Sequence, residues 1–363
     1  MKLQVTQENL SKALNNVARV ATTRNTLPIL SNILLKTVDN RLCVAATDLN
    51  IAITQFVGSK VNEKGAITVP ARLTQDFISS LPPGPIELKL EETKLKISTD
   101  QHKSTINGTS AEDYPIMPKI KNGQKWKVNS EILKKALNQT IVAASNDDAR
   151  PVLTGVNFHT ENGELFIVAT DSYRLAEKKI GKTDTPVDVL VPASALQDLL
   201  RILDTTSEDV EITSDDQQIL FKTGDAELVT RLIDGKFPDY KRLIPAKFET
   251  SAAISREELA NITKVSSLFA RETGGSINLE VNNENNEVSV NSHASQLGEN
   301  SAKAKAKTKG SGQITLNSRF ITDALGAINA EEVFIGFNQK LEPFIVKKLS
   351  EDDYKHIIMP LKS

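Results

Sequence analysis

A single cysteine in 363 residues, Cys43, excludes any disulfide within the chain. It lies in the strand-like run Leu42 to Ala46, which predicts a buried, inert thiol rather than a nucleophile. The opening M-K-L-Q-V-T-Q-E-N-L lacks the apolar stretch of an export signal, and no apolar run is long enough to span a bilayer. The expectation is a soluble, cytoplasmic protein without a membrane partner. Surplus positive charge is missing too, since 44 Lys and Arg stand against 46 Asp and Glu for a formal net charge of −2. Such a balance argues against tight non-specific grip on nucleic acid, which is driven largely by phosphate neutralisation and counterion release.

The chain also lacks the common signatures of catalysis. There is no Walker loop, no G-x-G-x-x-G, no H-E-x-x-H and no G-x-S-x-G. The four histidines, His102, His159, His293 and His356, are isolated and have no cysteine partners, so neither a structural zinc with four ligands nor a catalytic one with three is expected. No cofactor and no catalytic residue is assigned. Asp48 and Asp171 follow a threonine in the same way at two distant places, which favours hydrogen bonding within a turn over catalysis.

What the chain does have is repetition. Leu10 and Leu14 recur as Leu133 and Leu137, Thr47-Asp48 as Thr170-Asp171, and Val69-Pro70-Ala71 as Val191-Pro192-Ala193, at offsets of 123, 123 and 122. A more divergent third copy shows Leu259 opening a helical pattern, Thr315-Leu316-Asn317-Ser318 before another, and a closing strand Tyr354 to Leu361. A period near 120 residues far exceeds the roughly 20 to 50 of stacked arrays, so three folded domains in a row are expected, at 1–120, 125–246 and 250–363.

Each unit is predicted to open with an amphipathic helix. Over Gln7 to Ala21, Leu10, Leu14, Val17 and Ala21 fall on one face and Lys12, Asn15, Asn16 and Arg19 on the other. The second copy turns Leu133, Ala136, Leu137, Thr140 and Ala144 inward and Lys135, Asn138 and Gln139 outward; in the third, Leu259, Ile262 and Thr263 face in while Asn261 and Lys264 face out. Ser130 and Ser255 stand where caps belong. Hairpins follow around Asp39-Asn40, Asn162-Gly163 and Asn282 to Asn286, then a strand ending in Val69-Pro70 or Val191-Pro192, a second helix (Arg72 to Leu81, Ser194 to Leu203, Arg319 to Ile328) and two closing strands. The fold class is therefore α+β, two helices on antiparallel sheets repeated three times. Pro115 to Gln124 and Ile244 to Thr250 read as short, fairly stiff linkers. The alternation Ala302-Lys303-Ala304-Lys305-Ala306-Lys307 reads as a strand with a solvated lysine face, or as lysines guarding an edge.

These residues resemble one family over the whole length, the bacterial DNA polymerase III beta subunit or sliding clamp. The stretches that carry the resemblance are T-L-P-I-L at Thr26 to Leu30, T-D-L at Thr47 to Leu49, V-P-A-R at Val69 to Arg72, A-T-D-S-Y-R-L-A at Ala169 to Ala176, D-G-K-F-P-D-Y at Asp234 to Tyr240 and I-I-M-P-L at Ile357 to Leu361. The resemblance implies a non-enzymatic processivity factor. It implies a head-to-tail homodimer closing into a six-domain ring around double-stranded DNA, helices inside and sheets outside. It further implies partners in the replicative DNA polymerase catalytic subunit, an ATP-dependent clamp loader and other proteins with a clamp-binding motif. A ring held by enclosure needs only a mildly basic inner wall, which fits the charge count: Lys12, Arg19 and Arg24 against Glu8 give +2 over Thr6 to Arg24, while Asn129 to Arg150 comes to zero.

On the same basis the DNA-facing residues are Lys12, Arg19, Arg24, Lys135, Arg150, Arg201 and Lys264. The partner-peptide pocket comprises Arg150, Leu153, Thr170, Leu175, Pro238, Leu243, Asn317, Phe320, Leu341, Pro343, Ile357, Met359, Pro360 and Leu361, with Tyr173 and Arg174 at the rim. There the apolar side chains would bury a partner's anchors, while Arg150, Arg174 and Asn317 would hydrogen-bond its backbone. The sequence departs from the family pattern at Tyr173 (often His), Ser172 (often Gly), Val152 (often aromatic), Phe320 (often Tyr) and Pro343 (often small and polar), which implies an altered peptide preference. The dimer seam is assigned to Arg72, Ser104 and Ile106 against Leu268 and Phe269. Leu268 falls opposite Leu259 on its helix, an apolar residue where a polar one belongs, and Ser104 replaces a frequent aromatic.

Overall fold

The computed structural model describes residues 1–21, 27–115, 120, 123–295 and 298–362. Among them are six α-helices: α1 Gln7–Val17, α2 Ala71–Ser80, α3 Ser130–Thr140, α4 Ala193–Leu203, α5 Arg256–Phe269 and α6 Ser318–Ala327. They fall two to a repeat, at the expected places. Three expectations about strands fail. A strand precedes the first helix of every repeat (Lys2–Thr6, Gln124–Val128, Thr250–Ser255), three rather than two strands close each repeat, and an extra strand follows each hairpin. The opening strands do carry the alternation of half-buried strands: Leu3 and Val5 point into the core between exposed or half-buried neighbours.

The chain forms two compact units, residues 1–131 with 194–232 and residues 132–193 with 233–363, so the central repeat is divided between them. In the first unit, a five-stranded sheet runs from Lys60–Glu63 through Lys2–Thr6, Pro85–Glu91 and Lys94–Ser98 to Lys103–Asn107. An eight-stranded sheet joins the first repeat to the central one, because the last strand of the central repeat, Ala226–Arg231, pairs antiparallel with Ile51–Gly58 (Leu228 opposite Ile53). In the second unit a single twelve-stranded sheet does the same one repeat later. The last strand of the third repeat, Tyr354–Ile358, pairs with Arg174–Lys182, with Ile357 opposite Leu175. Sheets shared across repeat boundaries explain why packing does not follow the sequence period.

Local chemistry fixes the turns. Asp39 and Asn40 take φ of 45° and 62°, and Asn162 and Gly163 take 51° and 74°, left-handed pairs that suit two-residue hairpins and that Asn, Asp and Gly adopt most readily. Asp48 Oδ1 accepts from the backbone N–H of Asn50 and Ile51 at 2.9 and 2.8 Å, while Asp171 Oδ1 accepts from Tyr173 and Arg174, both at 2.9 Å. In each turn the preceding threonine hydroxyl donates across the loop, Thr47 to Ile51 O and Thr170 to Arg174 O. The two aspartates are structural, as their spacing suggested.

The helix faces need three corrections. Asn16 is buried and donates to Gln55 Oε1, Gln139 is buried and donates to Ala327 O, and α1 stops at Val17, short of Ala21. Ser255 does cap α5, accepting from Glu258 N–H, whereas the cap of α3 is Asn129, whose Oδ1 accepts from Glu131 N–H, and Ser130 is the first helical residue. Cys43 is buried in its strand, and burial pushes its thiol up to about 11. The segment from Ile244 is more than a linker, for Ile244 and Phe248 pack on the cluster of Val168, Leu175, Tyr240, Ile345 and Ile357. Of Pro115 to Gln124, residues 116–119, 121 and 122 lie outside the described residues. No helix among the described residues is long and apolar enough to cross a membrane.

Candidate partner site and nucleic-acid face

Within the second unit the expected pocket residues gather around the T-D-S-Y-R turn and the C-terminal tail. The tail is pinned on both sides: Met359 N–H donates to Tyr173 O at 2.8 Å and Leu361 N–H to Thr315 O at 2.9 Å. That places Met359, Pro360 and Leu361, all half-buried, between the central repeat's turn and the strand leading into α6. Leu341 and Pro343 precede the strand whose first residue, Phe344, lies opposite Ile358 in the ladder, which puts their turn beside Met359. Tyr173 and Leu341 are the most exposed large apolar side chains of this group, at 58% and 62%. Leu243 and Pro238 are exposed as well, so Leu243 is not part of the core.

Arg174 organises the centre. Its side chain is 9% exposed, pairs with Asp171 at 3.1 Å and with Asp323 on α6, and sets its guanidinium 4.6 Å from the centre of the Phe320 ring. It acts as a strut between the central and third repeats rather than as a free rim group. Arg150, about half exposed, donates from Nη1 to Ser172 Oγ at 3.1 Å and faces Asp147. Ser172 itself has φ of 77°, a left-handed conformation that costs a non-glycine residue energy and that the Asp171 hydrogen bonds hold in place. Three expected lining residues have other duties. Leu175 and Ile357 are fully buried in the packed cluster with Tyr240, and Asn317 caps α6, accepting from Arg319 N–H at 2.9 Å while donating to Gly274 O. Thr170 spends its hydroxyl on the turn, and Leu153 is buried.

Three family models tile the chain, the N-terminal domain of the DNA polymerase III beta subunit over residues 1–118, its central domain over 127–239 and its C-terminal domain over 241–362. The chain belongs to the DNA polymerase III beta subunit family. The beta sliding clamp of Staphylococcus epidermidis is 29% identical over 376 residues, with both chains covered fully. Among solved structures, the sliding clamp of Bacillus subtilis superposes with a TM-score of 0.94 at 27% identity, covering 100% of this chain and 99% of that one. The Pseudomonas aeruginosa clamp bound to griselimycin gives 0.94 at 28%, with complete coverage of both. Three clamp domains of α+β architecture are thus the fold of this beta subunit.

The cations assigned to the DNA-facing side of the clamp are of unequal freedom. Lys12, Arg19, Lys135 and Lys264 are exposed, although Lys12 donates to Thr205 O at 2.7 Å. Arg201 is tied to Asp198 on its own helix, and burial raises the Asp198 carboxyl. Arg24 lies outside the described residues. For the seam, Leu268 is 49% exposed on α5, Phe269 is half-buried and Arg72 is exposed beside Asp76. Ile106 is buried within its own domain, so its side chain is not an open apolar contact; its neighbours Lys103 and Thr105 face outward. What sequence reasoning missed is the edge itself. The signal was the extra strand after each hairpin, without which the pairing rule between repeats is invisible. Among the described residues no group of three or more His, Cys, Asp or Glu could hold a metal.

Proposed function

We propose that this clamp is a processivity factor that closes as a head-to-tail homodimer of six domains around duplex DNA, slides without sequence preference and tethers the replicative polymerase. One observation carries the reading. Twice in the chain the last strand of a repeat pairs with the strand that follows the hairpin of the preceding repeat. Among the described residues, the last strand of the first repeat, Lys103–Asn107, pairs on one side only, with Lys94–Ser98. In the third repeat, residues 298–305 of the corresponding strand pair, among the described residues, only with 287–294, while 306–309 turn to the Thr250–Ser255 strand. Of the edges that follow this pairing rule, one donor and one acceptor are therefore left over among the described residues. A second copy satisfies both at once, and two such junctions close the assembly and pair these two edges.

In the closed form the polar helix faces line the hole, with Lys12, Arg19, Arg24, Lys135, Arg150, Arg201 and Lys264 making weak, salt-sensitive phosphate contacts. Their small number and the chain's negative total make topology, not affinity, the means of retention. Partners, including the polymerase catalytic subunit and an ATP-dependent loader, dock apolar anchors among Tyr173, Leu243, Phe320, Leu341, Pro343, Met359, Pro360 and Leu361, supported by Arg150 and Arg174. The domains at 1–120, 125–246 and 250–363 are the units of this ring, and the clamp itself performs no chemistry. Lys303 and Lys305, both paired with Glu287, lie on the half-strand with the free edge and oppose its pairing with wrong partners. The test is retention of protein, loaded by a clamp loader and ATP, on nicked circular DNA and its release when the circle is linearised. Equal retention on both forms overturns the reading.

A further inference from the structure

We propose, on the footing of the partner reading above, that Tyr240 is a positioning residue for the partner site: buried itself, it fixes through its hydroxyl the turn that presents Leu243 to a docked segment.

Along residues 234–249 Tyr240 alone is fully buried, at 5% exposed, while Pro238, Lys241, Arg242 and Leu243 lie open. Its ring packs with Val168, Leu175, Ile345 and Ile357, which come from four neighbouring strands of the twelve-stranded sheet. Its carbonyl accepts from Leu243 N–H at 2.9 Å, closing the short turn Lys241–Leu243. A single turn has no stability of its own, so the place of Leu243 follows from that of the ring.

Packing would be served as well by phenylalanine, yet the hydroxyl is engaged. It donates to Glu177 Oε2 at 2.6 Å, and His159 Nε2 stands 3.3 Å from it. With its one proton on the carboxylate, the phenol oxygen accepts from His159. Glu177 is 6% exposed, and Lys355 stands 3.8 Å from its other oxygen. A carboxylate sunk among apolar side chains costs free energy that burial of the ring alone does not call for. What it adds is direction, since a short charge-assisted bond holds the ring at one depth and angle where apolar packing leaves latitude. The next residue is fastened to the same sheet: Lys241 pairs with Glu161 and lies 5.3 Å from the centre of the Phe166 ring. Two successive residues therefore lock the turn to the central repeat.

The test is fluorescence anisotropy with the full chain and a labelled polymerase-derived clamp-binding peptide. Tyr240→Phe, which deletes only the hydroxyl, is expected to weaken binding about fivefold, the equilibrium equivalent of one hydrogen bond's net contribution. A role confined to the stability of the fold would carry that loss into every background. Positioning predicts otherwise: Tyr240→Phe should change affinity by less than about twofold once Leu243→Ala has removed the side chain it places, and by the full factor on top of Met359→Ala. Glu177→Gln, which keeps an acceptor, should bind within about twofold of the wild type, whereas Glu177→Leu should match Tyr240→Phe. Melting temperatures show that each variant is folded, and if Tyr240→Phe is not, Glu177→Leu, which leaves no buried charge behind, is crossed with Leu243→Ala in its place. Unchanged affinity in the folded Tyr240→Phe chain, an equal loss in the Leu243→Ala background, or Leu243→Ala at wild-type affinity overturns the proposal. A wild-type chain that binds no peptide overturns the partner reading, and this role with it.

Discussion

The guanidinium of Arg174 lies 4.6 Å from the centre of the Phe320 ring, so a residue of the central repeat's turn is stacked on the first turns of the third repeat's helix α6. The same side chain neutralises Asp171 on its own turn and Asp323 across the seam. A single buried cation thereby fixes the geometry of two repeats beside the residues assigned to partner binding.

Removing it leaves two carboxylates facing each other with little solvent. Arg174→Ala is expected to destabilise the chain by about 2 to 4 kcal/mol, in the range for one partner taken from a largely buried ion pair and reduced because Asp323 is partly exposed. Arg174→Lys should recover part of this, since charge returns without the planar fork or the stacking. Urea unfolding of both, combined in a cycle with Asp323→Asn, measures the coupling; a coupling near zero means the strut is ornamental.

The tail gives a second expectation. Met359→Ala is expected to weaken binding of a polymerase-derived clamp-binding peptide by more than about 1 kcal/mol, as for an anchor-site residue, and removal of residues 359–363 should weaken it further. Fluorescence anisotropy with a labelled peptide reads this directly, and an unchanged dissociation constant removes the tail from the site.

Leu268 tests the seam. Two exposed apolar residues on α5, Val265 and Leu268, are explained if a second copy covers them, and Leu268→Asp then places a charge in an apolar contact. The dimer constant should weaken by about tenfold or more, the cost of burying an unpaired charge, while the monomer's melting temperature stays near that of the wild type. Sedimentation equilibrium over a concentration series distinguishes these. A dimer of undiminished stability would place the seam elsewhere.

His356 makes stability depend on pH. It is fully buried, its Nδ1 meets the Tyr354 hydroxyl at 2.8 Å, and that hydroxyl reaches Gln139 O; burial first, and Arg174 second, depress its pKa to about 3. The folded group stays neutral while the unfolded one binds a proton below about 6.5. Its contribution to stability is therefore complete above about pH 6.5 and is lost as pH falls from there toward 3. Urea midpoints taken stepwise over that window should fall less steeply for His356→Asn, which carries no titratable proton, than for the wild type. Parallel slopes would assign the acid sensitivity to other groups.

Much of this was legible because its causes are local. The hairpins at Asp39-Asn40 and Asn162-Gly163 depend on residues that tolerate positive φ, and the T-D turns depend on a carboxylate bonding the next two or three N–H groups. Three helices followed from apolar spacing and three from their place after a strand. The opening strands were missed although K-L-Q-V-T and Q-K-W-K-V both alternate, because five residues next to a strong helical pattern give a weak signal. Asn16 and Gln139 were placed on the wet face of their helices by spacing alone; Gln55 and Ala327, far away in sequence, bury them.

By itself the sequence determined that three like domains follow one another, that each is α+β, and which family they belong to, since repeat offsets and turn chemistry are written in neighbouring residues. Tertiary structure alone decided that Leu175 and Ile357 are core and that Arg174 spans a seam. Those outcomes depend on which backbone hydrogen bonds and charges are satisfied across distances of a hundred residues or more, and no local pattern encodes that.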